Sequence, residues 1–218
     1  MTNNCIISII ITNYNYSKYL SRAIHSALTQ TYPFDRYEVI VIDDGSTDNS
    51  KYVIDSFWDI IRSYYFKENV GLPRARNKGI QMSKGKYIIF LDADDYLSRD
   101  ALLFLSMFLE KNKDWMAVTS DYVTITDKGR EISRYPNIHK KLIGGILFRK
   151  AELLKIHCFD ELFKQHEDTD FFIRFNKTIH YIQLPLYRYR NHRNSMLKRY
   201  EERNGYLKLL EEKYGKLK

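Results

Sequence analysis

Asp92-Ala93-Asp94-Asp95 puts three carboxylates in four positions, directly after the apolar run Tyr87-Ile88-Ile89-Phe90-Leu91. Carboxylates this close repel one another unless a cation or hydrogen-bond donors offset their charge. A hard divalent ion is the natural partner, because magnesium or manganese takes one or two protein carboxylates and completes its shell with water and phosphate oxygens. An acidic loop opening the helix after Ser98 is the plainer reading, since Asp is common before helices. Placement at the end of a hydrophobic strand favours the metal.

Four further groups stand out. Asp43-Asp44-Gly45-Ser46-Thr47-Asp48 follows the run Tyr37–Ile42. Gly45 permits a tight turn, and helix capping accounts for Ser46, Thr47 and Asp48. Capping does not account for two successive carboxylates, one of which could accept the imide N–H of a base such as uracil. In Asn69-Val70-Gly71-Leu72-Pro73-Arg74-Ala75-Arg76-Asn77-Lys78-Gly79 the glycine spacing excludes both common phosphate-loop patterns. Pro73 suits a first helical turn, and Arg74 stands at a helix N-terminus, where an anion binds. Ala75 and Gly79 read as close helix–sheet packing. Glu167, Asp168 and Asp170 open a helix continued by Phe171, Phe172 and Phe175; the helix dipole favours acids there, and so would acid–base chemistry. His192 sits in a basic loop, either as a surface side chain or as a ligand.

These groups need a frame. Ile6–Thr12 is a continuous β-branched run, expected of a strand buried on both faces. An amphipathic helix from Ser17 follows, carrying Leu20, Ala23, Ile24, Ala27 and Leu28 and ending before Pro33. Tyr37–Ile42, Ser63–Phe66 and Tyr87–Leu91 read as further strands, alternating with helices at Asp48–Phe57, Leu72–Met82 and Leu102–Leu109. Such a series implies a mostly parallel sheet with right-handed crossovers and helices on both faces. Ligands of open parallel sheets bind beyond the carboxyl ends of the strands, where Thr12-Asn13-Tyr14-Asn15, Asp43-Asp44 and Asp92–Asp95 gather. The second half is less regular. It reads as strands at Met116–Asp121 and Tyr122–Ile125 with a turn at Asp127–Gly129, a short strand at Gly144–Phe148, and helices at Ala151–Ile156 and Glu167–Lys177. A strand at Tyr181–Leu184 and a polar helix at Met196–Tyr214 complete it.

The 218 residues are 44% hydrophobic, with 18 Tyr and 12 Phe, which excludes a disordered or collagen-like chain. No apolar run approaches the roughly 20 residues of a membrane span, and no export leader is read at the start, so a cytoplasmic protein is expected. Thirty-five Lys and Arg against 27 Asp and Glu give +8, an excess that favours anionic partners. With no arginine-rich block, zinc-finger spacing or recognition helix, nucleic acid is not expected as a partner. The basic tail reads as a solvated face or as peripheral contact with anionic lipid. Cys5 and Cys158 read as free buried thiols of a reducing compartment.

Taken together the motifs resemble family 2 of the glycosyltransferases, inverting sugar-nucleotide-dependent enzymes of the GT-A fold. The matching residues are Tyr14-Asn15, Val41–Asp48, Asn69-x-Gly71, Ala75-Arg76-Asn77-x-Gly79 and Phe90–Asp95, then Phe159-Asp160-Glu161, Glu167–Asp170 and Tyr189–Ser195. The likeness runs from about Ile6 to Ser195, and its ordered set is more specific than any one motif. One departure is Asn13, where proline is common in the family. The resemblance implies an α/β, Rossmann-like single domain over 1–218, with residues 1–97 binding the nucleotide sugar and 98–218 the acceptor.

Roles follow residue by residue. Asp43 or Asp44 would meet the donor's base, with Thr12 and Tyr14 lining its pocket. Asp92 and Ala93 would lie on the donor side, with Arg74 assisting the diphosphate. Asp94 would be the main carboxylate on Mn2+ or Mg2+, with His192 beside it. Asp168 would be the general base. Glu167 would orient it or touch the acceptor, and the loop holding Gly145 would line the acceptor side. The implied reaction moves a sugar, expected from a UDP-sugar, to a hydroxyl of a glycan or lipid-linked glycan in polysaccharide biosynthesis. Two rival readings are a non-catalytic nucleotide-sugar binder and a haloacid-dehalogenase-like phosphatase; the second expects Thr or Val soon after Asp-x-Asp, where Tyr96-Leu97 stands.

Overall fold

The computed structural model describes residues 6–137, 142–163, 166–192 and 208–215. The expected first half is present. β1 (Ile7–Asn13), β2 (Tyr37–Asp43), β3 (Arg62–Tyr65) and β4 (Tyr87–Asp92) alternate with α1 (Ser17–Leu28), α2 (Ser50–Asp55) and α3 (Leu72–Met82). Every residue of β1 is buried, because helices cover both faces of the sheet. Ile7, Ile9 and Ile11 pack towards α1 and α4 (Ala101–Lys111), whereas Ile10, Ile40 and Ile42 pack towards α3. Gly79 serves that second layer: a Cβ there would come within 2.3 Å of Ile10 Cγ2, so a side chain would force helix and sheet apart.

The second half adds β5 (Tyr96–Leu97), β6 (Ala117–Ile125), β7 (Glu131–Pro136), β8 (Leu147–Arg149), α5 (Lys150–Lys155), α6 (Glu167–Phe175) and β9 (Ile179–Arg190). Strand order across the sheet is β3-β2-β1-β4-β8-β6-β9-β5, with β7 paired to β6. β1 to β4 are parallel, and β8 runs antiparallel to both β4 and β6. The chain therefore builds outward from β1 in one direction and resumes on its other side at β4. That reversal opens a crevice at the carboxyl ends of β1 and β4. Register fixes what lines it: Asn13 pairs with Asp43, and Thr12 with Asp92.

Some elements depart from the expected bounds. Asp48 precedes α2 instead of starting it, because its carboxylate accepts the Ser50 N–H at 2.9 Å and the Ser17 N–H at 3.0 Å, serving the starts of two helices. β6 is one strand where two were read. β9 is far longer than Tyr181–Leu184, and it continues through Pro185 where the pairing with β6 shifts register around Asp121. A bulge there removes the need for the proline's missing N–H. The two-residue β5 was not anticipated. Of the expected helix at Met196–Tyr214, residues 208–214 are helical, while 193–207 lie outside the described residues, as do Cys5 and His139–Lys141. Cys158 is free and half-buried, and burial raises its thiol pKa. No helix among the described residues is long and apolar enough to cross a membrane.

Candidate active site

Three loops at the carboxyl ends of β1, β2 and β3 are tied to one another by two carboxylates. Asp43 Oδ1 accepts Asn13 Nδ2 and Ser46 Oγ, each at 2.7 Å, and Oδ2 accepts the Ser46 N–H at 3.1 Å. Asp44 reaches the other way. Its oxygens accept the Val70 N–H at 2.7 Å, the Gly71 N–H at 3.0 Å and Asn69 Nδ2 at 3.0 Å. Gly45 lets the chain turn between them at φ 71°, with a Cβ excluded by the Glu68 backbone at 2.3 Å. Ser46 is thus a tie between loops, not a helix cap: its hydroxyl also accepts the Asn15 N–H at 2.9 Å. Thr12 and Ala93 are buried beside this rim, joined by the Ala93 N–H to the Thr12 carbonyl at 3.2 Å, and Tyr14 is exposed at its lip.

A second set of acids converges from β4 and α6. Its centre is Arg76, a residue to which the motifs alone give no role. Arg76 lies on the sheet-facing side of α3 with Ala75, Gly79 and Ile80, and only 3% of its side chain is exposed. Its guanidinium meets Asp168 at 3.1 Å, Glu167 at 3.3 Å and Asp92 at 3.5 Å. The flat cation stacks against Phe159, 5.2 Å from the ring centre. An arginine among the small and apolar residues of a sheet-facing helix stripe was the available signal: a buried cation requires buried anions. Arg74, two residues earlier and on the opposite face of α3, is mostly exposed and 3.8 Å from Glu161, outside this group.

Crowding shows in the protonation of these acids. Burial chiefly, then Asp168, pushes Glu167 up to about 8, with Arg76 opposing. Asp92 rises to about 6, again through burial first, with Arg76 lowering it and Asp94 and Asp168 raising it. Asp95 is pushed well above the usual carboxylate range by burial and by its two neighbours. Exposure separates the pair on α6: Asp168 is 38% exposed, Glu167 only 11%. Asp168 can therefore meet a solvent-side hydroxyl, whereas Glu167 is held behind it.

β9 brings the last member. Asp95 accepts the Tyr187 hydroxyl and the Arg190 N–H, both at 2.7 Å, and Arg190 Nε donates to the Asp94 carbonyl at 2.7 Å. With the strand anchored so, His192 Nε2 lies 2.8 Å from Asp94 Oδ2, buried between the Tyr16 and Tyr19 rings. Asp94 and His192 offer one oxygen and one nitrogen ligand. Among the described residues no cluster of three or more His, Cys, Asp or Glu forms a ready metal cage. So few donors would suit only an ion that keeps most of its positions for water or phosphate oxygens, and Nε2 and Oδ2 are hydrogen-bonded to one another in this structure. Gly145 has a packing reason: it stands at φ 80° with the Tyr187 ring where a Cβ would project, at 2.6 Å.

Comparison with known proteins is consistent with this geometry. The model of the family described as "Glycosyl transferase family 2" matches residues 8–181. An uncharacterized glycosyltransferase of Rickettsia typhi is 34% identical over 193 residues, covering 80% of this chain and 59% of its own length. The chain thus spans less than two thirds of such curated relatives. Among solved structures, Staphylococcus aureus TarS 1–349 in complex with UDP-GlcNAc superposes with a TM-score of 0.78 at 20% identity, over 89% of this chain and 61% of that one. The mannosyltransferase PcManGT of Pyrobaculum calidifontis, in complex with GDP-Man and Mn2+, gives 0.64 at 17% identity, over 82% and 54%. The fold is that of the GT-A glycosyltransferases.

Proposed function

The chain belongs to glycosyl transferase family 2, and from that premise we propose that it is an inverting glycosyltransferase acting on a nucleoside-diphosphate sugar, with UDP as the expected nucleotide. The observation that carries the reading is the Arg76 hub. One buried guanidinium links Asp92, at the donor side of the sheet, to Asp168, the exposed acid of α6. A base and a donor site held by one rigid group suit a single in-line displacement, in which geometry supplies much of the rate.

In this mechanism the acceptor hydroxyl approaches the anomeric carbon from the face opposite the diphosphate. Its oxygen forms the new bond as the bond to the leaving phosphate oxygen breaks, and its proton passes to Asp168 Oδ. Arg76, 3.1 Å from that carboxylate, holds it in place, and Glu167, whose pKa burial pushes up to about 8, takes no second full negative charge into the site at neutral pH. Asp43 is the acid offered to the base's imide N–H, because Asp44 is given over to the third loop. Thr12 and Tyr14 line that pocket, and Ala93 the donor side. Asp94 and His192 would hold a divalent ion, whose chemistry is to neutralise charge gathering on the leaving diphosphate. Residues 1–97 form the donor half and 98–218 the acceptor half, with Gly145 in the latter; a glycan or lipid-linked glycan is the acceptor class.

A thermal-shift panel of sugar nucleotides, with and without manganese, tests the donor assignment. A ligand at 100 times its Kd stabilises the fold by about 2.7 kcal/mol. The reading expects one nucleotide family to raise Tm with manganese present. No shift with any sugar nucleotide, in a protein whose fold is intact, contradicts it.

A further inference from the structure

Behind the proposed base, α6 is held by a different acid. Asp170 lies two residues past Asp168, about 200° around the helix, and its side chain is fully buried. Oδ2 accepts Arg174 Nε at 2.8 Å and Nη2 at 2.6 Å; Oδ1 accepts Lys213 Nζ at 2.8 Å and the Tyr214 hydroxyl at 2.7 Å. Arg174 continues to the carbonyls of Ile156 and Cys158, at 2.5 and 2.7 Å. Lys213 also donates to Asp160 Oδ2 at 2.8 Å and lies 5.1 Å from the Phe163 ring centre.

Lys213 and Tyr214 belong to the helical residues 208–214, beyond the span that the family model matches. With Leu210, which is fully buried, they stand at i, i+3 and i+4 and so form one face. That face ends on the same helical turn as Glu167 and Asp168. A single carboxylate thereby fixes the rotation of α6 from three directions: its own helix, the turn after α5, and the 208–214 helix.

We propose that Asp170 is a positioning residue for the reaction and that the 208–214 helix is a latch, keeping Asp168 turned towards the Arg76 hub. The proposal rests on Asp168 being the base. Burial works against charge on Asp170, yet its bonds to Arg174, Lys213 and Tyr214 keep its pKa below the usual range, so the latch is an ionic one at neutral pH.

The test compares the full chain with Lys213→Met, Tyr214→Phe, their combination, and Lys213→Arg as the conservative variant. Readouts are kcat, donor KM, and amide exchange across residues 167–175. The double variant should lose about tenfold in kcat with donor KM within about twofold, since a small misplacement of a catalytic group is costly. Exchange should quicken in α6, and Lys213→Arg should restore both. Unchanged exchange overturns the latch, and quickened exchange with kcat intact overturns the positioning role. A fully active Asp168→Asn variant, by contrast, strikes the base assignment, while the exchange result still decides whether the latch exists.

Discussion

Two groups of acids stand at the carboxyl edge of the parallel sheet, one at the end of β2 and one at the end of β4 and the start of α6, and they are held in different ways. Asp43 and Asp44 are buried and accept bonds from loop amides, a hydroxyl and side-chain amides, so that their charge is spread over many neutral donors. Asp92, Asp94, Glu167 and Asp168 share one guanidinium and one imidazole. Asp44 is given over to holding the third loop, while Asp43, held by Asn13 and Ser46, is the one proposed to meet the donor's base. Among the described residues the second group has more acids than cations beside them, a crowding that raises the pKa of Glu167 and Asp92 and is common at sites that take a charged ligand. Strand-end acids alone do not identify chemistry; the count of donors around each one does.

Substitutions should separate the two groups cleanly. Asp168→Asn, in the second group, is expected to lower kcat by roughly 10²–10⁴ while donor binding survives, as steady-state transfer kinetics would show. Arg76→Met should cost roughly 3–5 kcal/mol, because it leaves buried acids without their counter-charge, and chemical denaturation measures that loss. A fold no less stable would mean those acids are neutral without it. In the first group, Asp44→Asn should destabilise by about 1–3 kcal/mol through the lost amide bonds, with kcat at saturating donor nearly unchanged. Equal damage to kcat from Asp44→Asn and Asp168→Asn would erase the distinction.

The smallest effect concerns Glu167. In the unfolded chain it ionises near 4.5, in the folded chain near 8. The unfolded state therefore gives up its proton first, and stability falls as pH rises between those values. Glu167→Gln should flatten that decline, seen as a smaller drop in Tm from pH 5 to pH 8. An unaltered slope would place the proton elsewhere.

Much of this was legible in the residues. Asp94, Asp168 and His192 could be singled out because acids at a strand end, acids at a helix start and a histidine in a basic loop are local patterns. The meeting of His192 with Asp94 depended on the length of β9, which runs well past Tyr181–Leu184 into a tyrosine- and arginine-rich stretch, and on a bulge opposite Pro185 that no local pattern announces. Arg76 escaped because its burial is settled by partners 16 and 92 residues away. The resemblance leaves Asp43 and Asp44 equivalent; the loop-holding bonds of Asp44 follow from where Asn69–Gly71 returns, which is a tertiary fact. Ser46 misled in the same way. Short polar side chains cap helices or tie loops with the same atoms, and only packing chooses between them.

Titration calorimetry of UDP into the wild-type chain and into Asp94→Ala, each with and without manganese, bears most directly on the acid-rich rim. The account predicts binding that strengthens with manganese in the wild type and loses that dependence in the variant. Equal affinity in all four titrations would contradict it, leaving these carboxylates as a structural cluster and nothing more.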